Sequence, residues 1–467
     1  MGSGQQSTIV SERTTAPDGA GPGSAGIGAV TGTEATAGTT PGRPGAARLR
    51  RLLGERPRLA VLLLTVGLVS LLAYETVRQS EHFQMIDMVV YRDEGETVRH
   101  SQNLYTMIVP HWKLYATYPP FAALIFVSTT MVPIPVLRAL VTCANLALLG
   151  TLAWLSFRLV GWPRQRTRPL AVALAVLAGV WLEPVYTTLR YGQINLLIAC
   201  LVLADLTRPD HARSKGLLIG VATGLKLTPG VFGIYLLLTG RPRAALVSFA
   251  GFAGTVLFGW LALPQASWSF WTDYLYDSHR VGATGIVDNQ SLRGALARLL
   301  HEHNPNLSWV LAAGLTAAAG LAVAAWAARS AHCLPHADAW GAVCAALTAL
   351  LVSPISWTHH WVWCVPILVL LAAEAAAEHA RPQPVRHLRW RPLLGIALVT
   401  FAGYGMWLVP HRLPDDSLHL AFWQQLPSSV YPAFGLLMLG IALARTARRR
   451  RLSGPPPPGL PPDRRSR

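Results

Sequence analysis

Asp87 sits in the run Met85-Ile86-Asp87-Met88-Val89-Val90-Tyr91, an acid inside an otherwise apolar stretch. Partial loss of water raises the pKa of such a carboxylate and suits it to accept a proton. The same residue could instead cap a helix or pair with Arg92, and Asp93, Glu94 and Glu96 beside it read as an exposed polar face. Lys226 is the one charge in a long apolar stretch, at Lys226-Leu227-Thr228-Pro229, where a broken helix would leave backbone N–H groups free. A cation at such a terminus suits a phosphate, although a lysine there could also snorkel to the membrane surface. His359-His360 follow Ser353-Pro354-Ile355-Ser356-Trp357-Thr358. Adjacent histidines on a helix point about 100° apart and so do not form an i, i+4 metal pair. One could hydrogen-bond a phosphate while the other packs, or both could close a helix end.

Trp357, Trp361 and Trp363 fit an aromatic belt or a wall that stacks on sugars. Tyr118-Pro119-Pro120 reads as a rigid turn at a membrane edge, and Gln193 and Asn195 as interhelical hydrogen-bonders. Asp288-Asn289-Gln290-Ser291 and Glu183 are polar but point to no reaction by themselves. The sequence has no Walker loop, GxSxG elbow or dinucleotide fingerprint. The five cysteines form no CxxC pair, and no ligand cluster stands out, so neither a disulfide framework nor a metal or other cofactor is expected.

The elements that must position these residues follow from composition. The 467 residues are 52% hydrophobic and only 13% charged, with a mean hydropathy of +0.35. Too little charge remains to cover a water-soluble surface, and apolar runs long enough to span hydrocarbon recur from Leu59 to Ala444. The expected class is an all-α integral membrane protein with roughly ten crossings. The net charge of +17 lies mainly in loops and tails, which is how orientation is encoded, so nucleic acid is not an expected partner.

Residues 1–47 are rich in Gly, Ala, Thr, Ser and Pro and are expected to be a disordered cytoplasmic tail, as is the basic segment 447–467. Between them lies the membrane domain, 48–446. Arg48, Arg50, Arg51, Arg56 and Arg58 place the start inside, so 75–118 forms an outer loop. Pro133 and Pro135 divide a half-span at 119–132 from a crossing at 136–157. Helices near 169–187 and 194–207 go out and back. Arg208, Arg213, Lys215, Arg241 and Arg243 all read as inside, so 216–239 must enter and return as a re-entrant pair broken at Lys226. Crossings follow near 244–263, 307–328, 338–354, 359–374, 392–409 and 430–446, and the outer loop 264–306 carries the aromatic residues of interfacial helices. Both termini fall inside and the unusual polar residues gather on the outer face.

The ordered series Asp87 with Val90-Tyr91-Arg92, Asn103-Leu104-Tyr105, Tyr118-Pro119-Pro120-Phe121-Ala122, Gly192-Gln193-Ile194-Asn195-Leu196-Leu197, Gly224-Leu225-Lys226-Leu227-Thr228-Pro229, Asn289-Gln290-Ser291 and Ser353 to Trp361 resembles glycosyltransferase family 87. The likeness covers about residues 80–375 and excludes both tails. It implies a GT-C helical bundle and transfer of mannose from polyprenyl-phosphate-mannose to a glycolipid or glycan acceptor of an actinobacterial envelope, commonly in an α-1,2 linkage. It also implies Asp87 as the base. Lys226 with His359 or His360 would take the donor phosphate, and Tyr118, Gln193, Asn195, Asn289, Gln290 and Trp357 would support the substrates. The lipid tail would lie between helices, and membrane lipids are the other expected partners. A transporter or flippase for a lipid-linked or anionic solute is the competing class. No inverted duplication is visible in the sequence, which argues against alternating access.

Overall fold

The computed structural model describes residues 57–81, 83–277, 280–379, 389–411 and 416–453. The proposed disordered head and the end of the tail lie outside them. Helix α1 (Pro57–Ser80) leads into a segment holding α2 (Ile86–Arg99) and a short hairpin, Ile108–Val109 against Leu114–Tyr115. Then come α3 (Pro120–Phe126), which continues as a 3-10 turn to Met131, α4 (Ile134–Val160), α5 (Arg168–Gly179), α6 (Glu183–Tyr191) and α7 (Asn195–Leu206). The middle of the chain holds α8 (Leu217–Leu225), α9 (Gly230–Leu238), α10 (Pro242–Ala262), α11 (Pro264–Thr272) and α12 (Leu292–Leu300). The last third holds α13 (Asn306–Ala328), α14 (Ala337–Val352), a 3-10 turn (Thr358–Trp363) opening α15 (Cys364–His379), α16 (Trp390–Ala402), α17 (Phe422–Ser428) and α18 (Val430–Ser453).

Among the described residues, five helices are each long and apolar enough to cross a membrane: α4, α10, α13, the 358–378 helix and α18. A sixth crossing arises if the bent pair α5–α6 counts as one. Four apolar helices are shorter, at 10–17 residues: the 120–131 segment, α7, α14 and α16. The segment expected near 338–354 is the 16-residue α14, and that near 392–409 is the 13-residue α16. Most of α14 is buried by its neighbours, and a helix enclosed by protein need not match the thickness of hydrocarbon.

The single helix expected over 169–187 is instead two, α5 and α6, bent by 73°. Pro184 has no N–H to continue the ladder, and Leu182 before α6 is extended. Buried Glu183 stabilises the break, accepting hydrogen bonds from Thr187 Oγ1 at 2.8 Å and the Tyr431 hydroxyl at 2.7 Å. At the other end of the chain, α18 runs on to Ser453, so Arg448 to Arg451 lie on the helix and not beyond a boundary at 446.

Segment 216–239 folds back on itself as a helical hairpin. Gly216, Gly220 and Gly224 leave no room for a Cβ against Ala244, Ser248 and Thr255 of α10 respectively, so α8 climbs alongside α10 in the same direction. After the break at 226–229, α9 comes back: Gly233 again faces Ser248, and Arg241 closes the loop beside the start of α10. The climb from Ala244 to Thr255 covers roughly 16 Å at helical rise. Lys226 is therefore carried to the far end of α10 from the basic residues at its base. The hairpin is fixed at its foot by Asp205, whose two carboxylate oxygens accept from the Gly216 and Ile219 amides at 2.8 and 3.0 Å.

Close backbone approach is thus what sets the height of Lys226. Gly220→Val should force α8 from α10 and cost about 1–3 kcal/mol. The expected outcome is a lower thermal unfolding midpoint in detergent together with weaker anion binding at Lys226, and an unchanged midpoint would contradict this packing.

Candidate active site

Asp87 lies in the first turn of α2. The side of α2 that carries Met85 and Met88 meets the junction of α6 and α7, and that contact depends on Gly192. Gly192 has φ +72°, and a Cβ there would lie 2.7 Å from the Met88 Cβ. Only glycine both adopts this left-handed turn and allows the approach. Gln193, the next residue, consequently reaches the Asp87 side of α2. Arg92 is not the partner of Asp87, because its guanidinium donates to the Thr129 and Val132 carbonyls and anchors the turn after α3. Glu94 is not part of an exposed face either: it is fully buried two turns beyond Asp87.

A continuous hydrogen-bonded network runs from this point. Tyr91, one turn after Asp87, donates its hydroxyl to Gln193 Oε1 at 2.8 Å, and Tyr118 does the same at 3.3 Å. The two phenols are 2.9 Å apart. Asn195 Nδ2 also donates to Gln193 Oε1 at 3.2 Å, which leaves Asn195 Oδ1 to accept from Lys226 Nζ at 3.2 Å. Lys226 Nζ lies 2.8 Å from His360 Nε2 and 5.5 Å from the centre of the Tyr118 ring. The lysine is thus turned into the protein and does not snorkel outward. Burial lifts the Asp87 carboxyl to about 6, while the Gln193 amide and the Lys226 charge favour its ionised form.

The tautomer of His360 follows from its partners. The Trp357 backbone N–H donates to His360 Nδ1 at 3.2 Å, so the hydrogen of a neutral ring sits on Nε2. That hydrogen points at Lys226 Nζ, and two donor nitrogens face each other with no acceptor between them. An anionic oxygen placed there would accept from both and remove the conflict. His359 does not share this position. Its ring packs edge-on against Tyr191 at 5.6 Å and against His360 at 4.9 Å, and its Nε2 is buried without a partner among the described residues.

Lys226 and His360 stand at the polar end of a cleft with about 490 Å³ of atom-free space, its open mouth included. Asn195, Thr228, Ser353 and Ser356 complete the polar end, and Ile198, Val202, Phe232, Leu350, Val362 and Trp363 line the rest. Asp87 is not part of its lining; the carboxylate reaches the cleft residues through Gln193 and feels the Lys226 charge. Trp363 stacks on Phe232 at 5.2 Å, whereas Trp361 is wholly buried against Tyr431, which makes it core and neither belt nor sugar wall.

Asn289 and Gln290 have a different position from the substrate contact expected of them. Both are fully buried. Asn289 Nδ2 donates to the Thr284 and Pro354 carbonyls at 3.0 and 3.3 Å, and its Oδ1 accepts from the Ser291 and Ser356 amides at 3.3 and 3.0 Å. Gln290 Nε2 donates to the Val287 and Ser428 carbonyls, both at 2.7 Å. The Asn289 amide clamps 284–291 to 353–358, the loop that leads to the histidines, with Asn289 and Trp357 paired across a β-bridge, while Gln290 ties the same segment to Ser428 and Tyr431. Trp357 is half-buried over Gly282. Sequence reasoning missed Arg298, a fully buried cation whose guanidinium holds the Gly285, Ile286 and Asn289 carbonyls. It also missed Tyr91 as a site residue, though its i+4 spacing from Asp87 was a usable signal. Among the described residues, no three His, Cys, Asp or Glu side chains gather as a metal site would need.

The chain matches the model of glycosyltransferase family 87 over residues 116–354. It is 35% identical to a polyprenol-phosphate-mannose-dependent alpha-(1-2)-phosphatidylinositol pentamannoside mannosyltransferase of Mycobacterium tuberculosis (strain CDC 1551 / Oshkosh), over 81% of this chain and 85% of the relative. A polyprenol-phosphate-mannose-dependent alpha-(1-2)-phosphatidylinositol mannoside mannosyltransferase of Mycobacterium tuberculosis (strain ATCC 25618 / H37Rv) is 34% identical over 71% of this chain and 77% of its own length. A pentamannoside mannosyltransferase of the same description from Mycolicibacterium smegmatis is 32% identical over 79% of this chain and 86% of its own length. No solved structure matches the chain significantly.

Removing the Asn289 amide breaks four hydrogen bonds in a dry setting, for a cost of about 2–4 kcal/mol. Asn289→Ala is expected to lower the unfolding midpoint and to weaken anion binding at His360 together, by releasing the loop. If the midpoint fell while anion affinity held, the clamp would not be what positions His360.

Proposed function

The chain belongs to glycosyltransferase family 87, and from that premise we propose that it transfers mannose from polyprenyl-phosphate-mannose to a mannosylated phosphatidylinositol acceptor in an α-1,2 linkage. The observation that carries this reading is the single network joining Asp87, Gln193, Asn195, Lys226 and His360, with a proton acceptor at one end and two N–H donors facing a cleft at the other.

In the proposed reaction the donor phosphate settles between Lys226 Nζ and His360 Nε2, and its isoprenoid runs along Ile198, Val202, Phe232 and Leu350. The acceptor hydroxyl approaches the anomeric carbon from the Asp87 side. As the new C–O bond forms, the bond from the anomeric carbon to the phosphate oxygen breaks and its electron pair leaves with the lipid phosphate. Asp87 takes the hydroxyl proton. One displacement inverts the anomeric centre, and phosphate leaves without protonation, so a second carboxylic acid is not required as it is in inverting glycosidases. The growing charge on the leaving phosphate is met by Lys226 and His360, the same electrostatic service that an oxyanion site gives. The lipid-linked sugar is a co-substrate, and the scheme uses no further cofactor.

Orientation is part of the proposal. Basic residues cluster at the foot of the α8–α9 hairpin, where Lys215 pairs with Asp210 at 2.8 Å and Arg241 with the same carboxylate at 2.9 Å. By the positive-inside rule that end is cytoplasmic, which puts Lys226 and Asp87 toward the outer face and both termini inside. A flippase reading shares the cleft but gives no task to a partly desolvated carboxylate beside the lysine.

Asp87→Asn should lower transfer about 10²–10⁴-fold while donor affinity stays within a few-fold of wild type. Lys226→Ala should weaken donor binding. Because Asp87 must be ionised to accept a proton and titrates near 6, kcat/KM should fall tenfold per pH unit below about 6. Product formation from radiolabelled donor and phosphatidylinositol mannosides reads all three, and an active Asp87→Asn protein would remove the carboxylate from the reaction.

A further inference from the structure

Asp288 is a second carboxylate near this network. Its backbone is fixed by the same clamp, the Thr358 amide donating to its carbonyl at 2.9 Å, one residue before the two histidines. Its side chain is half-buried, yet among the described residues it accepts no side-chain hydrogen bond and forms no ion pair. Three basic side chains act on it electrostatically: those of His411, Arg298 and Arg190. Each of them is engaged elsewhere. Arg298 holds three backbone carbonyls and Ser429, Arg190 pairs with Glu81 at 3.6 Å, and His411 Nδ1 lies 2.6 Å from the Val409 carbonyl. Asp288 has no capping task either, since Ser291 caps α12 by accepting from the Gly294 amide at 3.1 Å. A partly desolvated carboxylate with free lone pairs is costly unless a ligand supplies the donors.

Tyr191 links this carboxylate to the reaction centre. It ends α6 and its ring packs edge-on against His359 at 5.6 Å, next to Thr358, whose amide holds the Asp288 carbonyl at 2.9 Å. Neither Asp288 nor Tyr191 lines the cleft that holds Lys226 and His360, so a ligand group at Asp288 is assigned to the acceptor and not to the donor. Neighbouring hydroxyls of a sugar present two donors at the spacing of the two carboxylate oxygens, and charge-assisted hydrogen bonds of this kind are about twice as strong as neutral ones.

We propose that Asp288 and Tyr191 form the subsite for the terminal sugar of the acceptor, Asp288 accepting hydrogen bonds from two adjacent hydroxyls while Tyr191 supports the ring and directs a third hydroxyl at Asp87. This rests on the transfer reaction proposed above. It assigns acceptor recognition to the 281–288 segment and the end of α6, separate from the donor cleft. Burial lifts the Asp288 carboxyl to about 6, with the basic side chains opposing it, so at pH 7.5 it is an anion able to accept both bonds.

The test is steady-state kinetics of the full-length Asp288→Asn and Tyr191→Phe proteins with polyprenyl-phosphate-mannose and, in turn, phosphatidylinositol mannosides or octyl α-mannoside as acceptor. Asp288→Asn should raise the acceptor KM at least tenfold for both acceptors and leave the donor KM within twofold; Tyr191→Phe should raise the acceptor KM less, about threefold. The intact donor KM shows that the variant is folded. An unaltered acceptor KM, or donor and acceptor KM rising together, would overturn the assignment. Absence of transfer by the wild-type protein would instead overturn the reaction itself, so the two failures are distinguishable.

Discussion

A lysine amine held inside an apolar helical bundle is the constraint around which the rest of the molecule is organised. Placing a charge there is expensive unless it is paired or solvated by fixed dipoles. Lys226 receives one acceptor, Asn195 Oδ1, and otherwise faces the N–H of His360 and the ring of Tyr118. Lys226 keeps N–H groups beyond the one given to Asn195, and beside the His360 N–H they suit an anionic oxygen. The Trp357 amide contributes by fixing which ring nitrogen of His360 carries hydrogen, so that the imidazole presents a donor where a phosphate oxygen would lie.

The backbone irregularities serve the same end. The break at 226–229 delivers the lysine, the bend at 180–182 brings α6 and its last residue Tyr191 beside the histidines, and the left-handed Gly192 sets Gln193 against α2. None of these is tolerable in lipid-facing helix, where freed backbone groups would have no partners, and each lies where neighbouring helices or side chains satisfy it. Glu183 at the bend and Asp205 at the foot of the hairpin are buried carboxylates that do this structural work, in contrast to Asp87 and Asp288, which keep lone pairs open.

Much of this was legible in the sequence because it depends on local rules. The apolar runs gave the class, Lys226-Leu227-Thr228-Pro229 gave the hairpin break, and the basic residues on both sides of 216–239 required the chain to return. Helix lengths were less legible. A run such as 169–187 keeps its hydropathy across the bend at Val180–Leu182, and only Pro184 hinted that the ladder stops there. Burial of polar residues was not legible at all: Glu94 sits in an acidic cluster that reads as solvated, and Asn289 and Gln290 look like ligand-binding amides. Their partners are backbone groups tens of residues away, such as the Pro354, Ser356 and Ser428 groups, which no periodicity encodes.

The central claim is spatial: a phosphate bridges Lys226 and His360 while the sugar attached to it turns its open face to Asp87. A structure of the protein with polyprenyl-phosphate-mannose bound tests this most directly. The account predicts phosphate oxygens within hydrogen-bonding distance of Lys226 Nζ and His360 Nε2, an isoprenoid between α7, α9 and α14, and the anomeric carbon on the Asp87 side. A phosphate bound elsewhere, with the 2.8 Å contact between Lys226 and His360 still closed, would contradict it.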